Sequence, residues 1–174
     1  LVDKLLISKP GRALQMNIGA EQSEKDILVF LHADTFLPET DDQLIINAMA
    51  QGYQWGRFNV RLSGRHFLFR IIETMMNWRS CLTSIATGDQ RIFVKREIFE
   101  QVGGFPEMKL MEDIELSKKL KKIGKPACIK PRVTTSSRKW ENNGIVKTVL
   151  LMWRLRLQYF FGTSADKLHS KYYR

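Results

Sequence analysis

Five consecutive apolar residues, Ile27-Leu28-Val29-Phe30-Leu31, lead directly into His32-Ala33-Asp34-Thr35. An unbroken apolar run of that length, bounded by turn-forming residues, predicts a buried strand of a parallel sheet. Parallel strands need crossover connections, and helical patterns do alternate with strand-like runs here, so a layered α/β sheet is expected. In open sheets of this kind ligands bind beyond the carboxyl ends of the strands. Asp34 stands at such a place, where a hard oxygen ligand could hold Mg²⁺ or Mn²⁺ against a phosphate. Taken alone, Asp34 reads better as a turn residue or as a cap of the helix expected near Glu39.

The other elements follow from periodicity and breakers. Helices are expected over 11–20, from about 39 to 50 with a stop at Gly52, over 67–82, 96–102 and 112–123, and as one long apolar helix over 143–161. The 112–123 helix should turn Ile114, Ser117, Leu120 and Ile123 inward and end at Gly124. Strands are expected over 27–31, 53–62 (anchored by Trp55, Phe58 and Val60), 90–95 and 127–133. The 174 residues, 44% hydrophobic and 26% charged, suit one domain spanning 1–174 with a real core. The chain opens at Leu1 on a strand-like run, whereas a nucleotide-binding α/β fold begins with a strand–helix unit, at about 30 residues per βαβ unit. The domain is therefore expected to lack its first strand–helix unit.

A formal net charge of +10 favours anionic partners. The charge is scattered, and its densest run, Lys118-Lys119-Leu120-Lys121-Lys122, closes a helix whose dipole it complements. No zinc-knuckle, RNA-recognition or helix-turn-helix signature appears, so nucleic acid is not an expected partner. Cys81 and Cys128 form no CxxC and read as ordinary buried thiols in a reducing compartment.

Four further segments accompany the Asp34 region: Lys9-Pro10-Gly11-Arg12 with Asn17, Gly88-Asp89-Gln90, Gly103-Gly104-Phe105-Pro106, and Met111-Glu112-Asp113-Ile114-Glu115-Leu116. In this order and spacing, from about Lys9 to the C-terminus, the set resembles family 2 glycosyltransferases of the GT-A fold. More narrowly it is similar to the bacterial subgroup associated with radical-SAM and selenoprotein-domain neighbours. The resemblance implies a GT-A-like (Rossmann-like), mostly parallel sheet flanked by helices, and a metal-dependent inverting transfer of sugar from a nucleotide-diphosphate donor to a hydroxyl acceptor.

Site residues follow by position. Three acids in the first turn of a helix would by themselves be read as dipole stabilisers. By resemblance Asp113 is the general base on the acceptor and Glu112 positions it or the acceptor. His32-Ala33-Asp34 takes the place of an Asp-x-Asp metal motif. Asp34 is then the ligand for Mg²⁺ or Mn²⁺, and His32, a poor ligand for Mg²⁺, binds the donor sugar or phosphate or serves as a weak metal ligand. Arg12 at a helix start suits a diphosphate, with Asn17 in support. Asp89, Gln90 and Gly104 are expected on the acceptor side. In Ser136-Ser137-Arg138-Lys139-Trp140, Arg138 is expected at the diphosphate, and Trp140 either stacks on the acceptor or belongs to the core. The apolar C-terminal helix is too short and charged for a confident span. It reads as a core or subunit-contact helix, or as an interfacial one serving a lipid-linked acceptor. The expected location is cytoplasmic, with peripheral contact on the inner membrane face as an extension. The alternative function is a non-catalytic, membrane-associated binding protein on a truncated transferase fold.

Overall fold

The computed structural model describes residues 3–36 and 41–172. In chain order the elements are α1 (Arg12–Gln22), β1 (Ile27–Val29), β2 (Thr35–Phe36), α2 (Asp41–Ala50), β3 (Trp55–Leu62), α3 (Phe67–Thr83), β4 (Ile92–Lys95), α4 (Arg96–Gln101), α5 (Glu112–Ile123), β5 (Ala127–Thr135), α6 (Arg138–Asn143), α7 (Ile145–Phe160) and α8 (Ala165–Tyr172). A 3-10 turn over Gly88–Gln90 precedes β4. Residues 39 and 40, where the helix of α2 was expected to begin, lie outside the described residues.

The strands form one five-stranded sheet in the order β1-β4-β3-β5-β2. Only β3 and β5 run parallel; β1–β4, β4–β3 and β5–β2 are antiparallel. The expectation of a mostly parallel sheet is therefore corrected. The run from Ile27 is also an edge strand that ends at Val29, with Val29 and Leu31 exposed and Leu28 buried. An apolar run reports burial somewhere in the fold but not the direction of the neighbouring strand. Part of its apolar character serves the following loop, where Phe30 packs edge-on against Phe105 and at a tilt against Phe99.

β3 lies at the centre, and Trp55, Phe58 and Val60 are fully buried as expected. Alternation along β3 and β4 sends residues to two cores. Trp55, Ile92 and Val94 join Ala13 and Ala20 of α1, Phe99 of α4, and Leu116 and Leu120 of α5. Phe58 and Phe93 face the other way, onto Ile45 and Ala48 of α2 and Ala127, Ile129 and Val133 of β5. α5 matches its expected bounds, but its inward face is Leu116, Ser117 and Leu120, while Ile123 is exposed. Ile114 packs instead toward Leu155 and Leu168 of the C-terminal helices. The long helix expected over 143–161 is α7, and Gly144, whose φ is +85°, separates it from α6, which the sequence reading did not anticipate. Among the described residues no helix is long and apolar enough to cross a membrane.

α3 packs inside out. Apart from fully buried Phe69, its inward face is polar: Asn77 brackets Val60, its amide donating to the Val60 carbonyl (3.0 Å) and its Oδ1 accepting from the Val60 N–H (2.8 Å). Buried Glu73 accepts from the Leu62 N–H and pairs with Arg70 (3.4 Å) and Arg132 (3.2 Å). Phe67, Ile71, Met75, Trp78 and Leu82 lie at helical spacing along its exposed face. A disulfide joins Cys81 of α3 to Cys128 of β5, with the Cα atoms 5.9 Å apart. This corrects the expectation of free thiols, and the cysteines therefore give no argument for a reducing compartment. Sequence spacing carried no sign of the pairing, because the packing of α3 on β5 brings the two residues together.

Candidate active site

Five stretches converge on one cleft of about 280 Å³: the start of α1, the loop after β1, the turn before β4, the start of α5, and the C-terminal helices. From the loop and the turn come His32, Asp34, Gly88 and Asp89. The start of α5 adds Asp113, α1 contributes Arg12, and the C-terminal helices supply Lys139, Trp140 and Arg156.

Asp113 opens α5 with both oxygens engaged on one side. Oδ2 accepts from the Gly88 N–H at 2.9 Å, and Oδ1 from the Ile114 N–H at 2.8 Å. A carboxylate offers about four lone-pair positions, so acceptor capacity remains toward the cleft. Gly88 is required in a second way. A Cβ there would collide with the imidazole of His32. His32 lies against that backbone with Nδ1 3.4 Å from Asp89 Oδ1. The hydrogen bond that the imidazole donates to Asp89 raises the His32 pKa above its usual value, against burial, which lowers it, and against Arg12. The imidazole thus carries positive charge more readily than a free histidine.

Glu112 is buried and reaches Arg12, with Arg12 Nη2 2.8 Å from Oε1 and 3.2 Å from Oε2. Burial, then the adjacent Asp113 charge, raises the Glu112 pKa, while Arg12 opposes the rise. Its work is to fix Arg12, which remains two-fifths exposed at the cleft. Lys139 stacks on Tyr172, with Nζ 3.1 Å from the ring centre. Burial, then the charge of Arg12, lowers its pKa. The pKa of Arg156 is lowered by burial, while Asp113 and Asp89 act to raise it. Arg12, Lys139 and Arg156 thus crowd positive charge around a few carboxylates, and His32 adds to it when protonated.

Several expected site residues do other work. Asn17 brackets Phe105, donating to its carbonyl (2.8 Å) and accepting from its N–H (3.0 Å), so it holds the Gly104–Phe105 turn and does not line the cleft. Gly104 has φ +60°, and a Cβ there would press on Asn17 and Phe99; its role is that turn. Gln90 is fully buried, accepting from the Thr87 N–H (3.2 Å) and donating to Ser80 Oγ (2.8 Å). It shapes the turn from beneath and offers nothing to an acceptor. Arg138 is exposed and does not line the cleft, whereas its neighbour Lys139 does, because one residue along a helix turns the side chain by about 100°. Sequence reasoning missed Lys139 and Arg156 as site residues. For Arg156 the available signal was only that it is one of three cations, with Lys147 and Arg154, interrupting an otherwise apolar helix.

Asp34 is an exposed carboxylate at the cleft rim. Among the described residues no group of three or more His, Cys, Asp or Glu could hold a metal ion. The donor set fits a divalent ion only as a shared one, with Asp34 giving one hard oxygen and a diphosphate supplying others.

The sequence matches no family model and no curated protein. A solved structure does match, a mannosyltransferase from Pyrobaculum calidifontis described in complex with GDP-Man and Mn2+. The TM-score is 0.56 at 19% identity. The chain has a glycosyltransferase fold. The match covers 95% of this chain and 49% of that one, so this chain spans about half of that protein's length.

Proposed function

We propose that this protein is a metal-dependent, inverting glycosyltransferase of the family 2 type, taking a sugar from a nucleotide-diphosphate donor to a hydroxyl. The carrying observation is that one cleft holds a carboxylate pinned by backbone N–H groups, Asp113, together with Arg12, His32 and Lys139 from other segments of the chain. Inversion needs the acceptor oxygen on one face of the anomeric carbon and the leaving diphosphate on the other. Base and diphosphate-binding groups must therefore stand on different segments, as Asp113 does relative to Arg12, His32 and Lys139.

Asp113 takes the acceptor hydroxyl proton while that oxygen bonds to the anomeric carbon. The bond from that carbon to the diphosphate oxygen breaks, and the nucleoside diphosphate leaves with the electron pair. Arg12, held by Glu112, with Lys139 and a protonated His32, meets the charge on the leaving group. Asp34 would hold Mg²⁺ or Mn²⁺ together with the diphosphate, where the ion supplies Lewis-acid neutralisation. Asp89 orients His32 and borders the acceptor side.

Calorimetric titration of UDP and GDP, with and without Mn²⁺, tests this reading on the wild type and on Asp34→Ala. Binding that needs Mn²⁺ and falls at least tenfold in Asp34→Ala is expected. Binding of neither nucleotide, with or without Mn²⁺, overturns it.

A further inference from the structure

The exposed apolar stripe of α3 has a counterpart. Val146, Leu150, Trp153 and Leu157 repeat at helical spacing on α7 and are also exposed. Between the two helices runs a groove of about 340 Å³, walled by Met75, Met76 and Trp78 on one side and by Val149, Met152 and Trp153 on the other. Surface apolar residues scattered singly need no explanation, but a contiguous concave apolar surface marks a binding site. A helix that buries Glu73, Asn77 and Ser80, with Phe69 as its one fully buried apolar residue, while exposing Ile71, Met75, Trp78 and Leu82 has kept most of its apolar face for something outside the fold.

The groove is not a blind one. Thr87, Asp89, Trp140, Met152 and Arg156 line both it and the catalytic cleft, so the two are continuous. At the junction stand two cations, Arg79 from α3 and Arg156 from α7. No hydrogen bond or ion pair among the described residues engages either guanidinium. Arg79 Nη2 is a buried polar atom without a hydrogen-bond partner, a condition that native interiors seldom leave unexplained. Burial, then the charge of Arg156, pushes the Arg79 pKa down to about 10. Two arginines set against each other at the polar end of an apolar groove make an anion site with an attached channel for a hydrocarbon chain.

We propose that the acceptor is a lipid-linked one: its phosphate pairs with Arg79 and Arg156, its apolar chain lies between α3 and α7, and its hydroxyl-bearing head enters the cleft toward Asp113. The acceptor identity rests on the transferase reading above, but occupation of the groove by a phosphate on an apolar chain can be measured without it. An acceptor lacking the phosphate would leave the two arginines facing each other, and one lacking the chain would leave both apolar walls in water.

The probe is decyl phosphate below its aggregation threshold, followed by tryptophan fluorescence, since Trp78, Trp140 and Trp153 line the groove. Saturable binding is expected, with decanol and inorganic phosphate each at least tenfold weaker. Arg79→Gln should weaken decyl phosphate at least tenfold, and Met75→Glu should abolish its binding. Nucleotide affinity in Met75→Glu should stay within twofold of wild type, which shows that the variant is folded. Equal affinity for decanol, an unchanged affinity in Arg79→Gln, or no saturable signal each overturns the proposal. Binding to phosphatidylglycerol vesicles that is indifferent to Arg79→Gln and not displaced by decyl phosphate also overturns it, in favour of a plain membrane-contact face. Decyl phosphate bound as expected but no nucleotide bound by the wild type supports the groove and counts against the transferase reading alone.

Discussion

Replacing Arg12 by Met removes the counter-ion of a carboxylate whose side chain is only 2% exposed. Breaking a fully buried pair costs about 3–5 kcal/mol, because the remaining charge stays in a poor solvent. Arg12 itself is 40% exposed, so water already screens part of the interaction; about 2 kcal/mol is the reasonable expectation after that discount. With a urea slope of about 2 kcal/mol per molar, the unfolding midpoint should fall by about 1 M at pH 8 with the slope unchanged. The loss should depend on pH. Glu112 already has a folded pKa above its unfolded value of 4.5, through burial and then Asp113, and losing Arg12 raises it further. A raised carboxyl pKa means that the folded state binds more protons than the unfolded state, so stability falls as pH rises from 4.5 through the folded value. The deficit of Arg12→Met relative to wild type should therefore shrink toward pH 4. Adding Glu112→Gln should recover most of it at pH 8, since the stranded charge is gone. A deficit equal at pH 4 and pH 8, or a double variant no more stable than the single, would refute the assignment of Glu112 as the anchor of Arg12.

Asp113→Asn keeps an oxygen for the Gly88 N–H but cannot take a proton. Sugar transfer should drop about 10²–10⁴-fold, with nucleotide affinity within twofold by calorimetry; a transfer rate above a tenth of wild type removes Asp113 as the base. Gly88→Ala forces the His32 ring aside. Its expected signature is an overpacking loss of about 1–3 kcal/mol in urea unfolding, together with at least tenfold weaker nucleotide binding, and wild-type affinity would detach His32 from the donor. The Cys81→Ser/Cys128→Ser pair opens a link across 47 residues. On the chain-entropy account that is worth about 4 kcal/mol, to be read as the difference in urea stability from the oxidised protein; no difference means that the bridge does not constrain the unfolded chain.

Much of the site was legible because its residues sit at chain punctuation. The acidic start and glycine stop of α5 were read correctly, and Asp113, Asp34, His32, Arg12, Asp89 and Trp140 do meet in one cleft. Asn17, Gly104 and Gln90 were read as binding groups because polar residues and glycines near a motif look alike whether they face a ligand or brace a turn. Which they do depends on partners far along the chain, such as Phe105 for Asn17 and Ser80 for Gln90.

The sequence by itself determined where most elements start and stop, the burial of Trp55, Phe58 and Val60 on the central strand, and the order of the chemical motifs. Those are properties of neighbours within a few residues, carried by periodicity, caps and breakers. Only the tertiary structure decided that β1 is an antiparallel edge, that α3 turns its polar face inward, that Cys81 meets Cys128, and that Arg79 and Arg156 close on the same junction. Periodicity reports that a helix has two faces; which face is covered depends on the polar groups that β3 presents to α3. That choice, made by Glu73 and Asn77 against the β3 backbone, leaves the apolar face of α3 open beside the cleft.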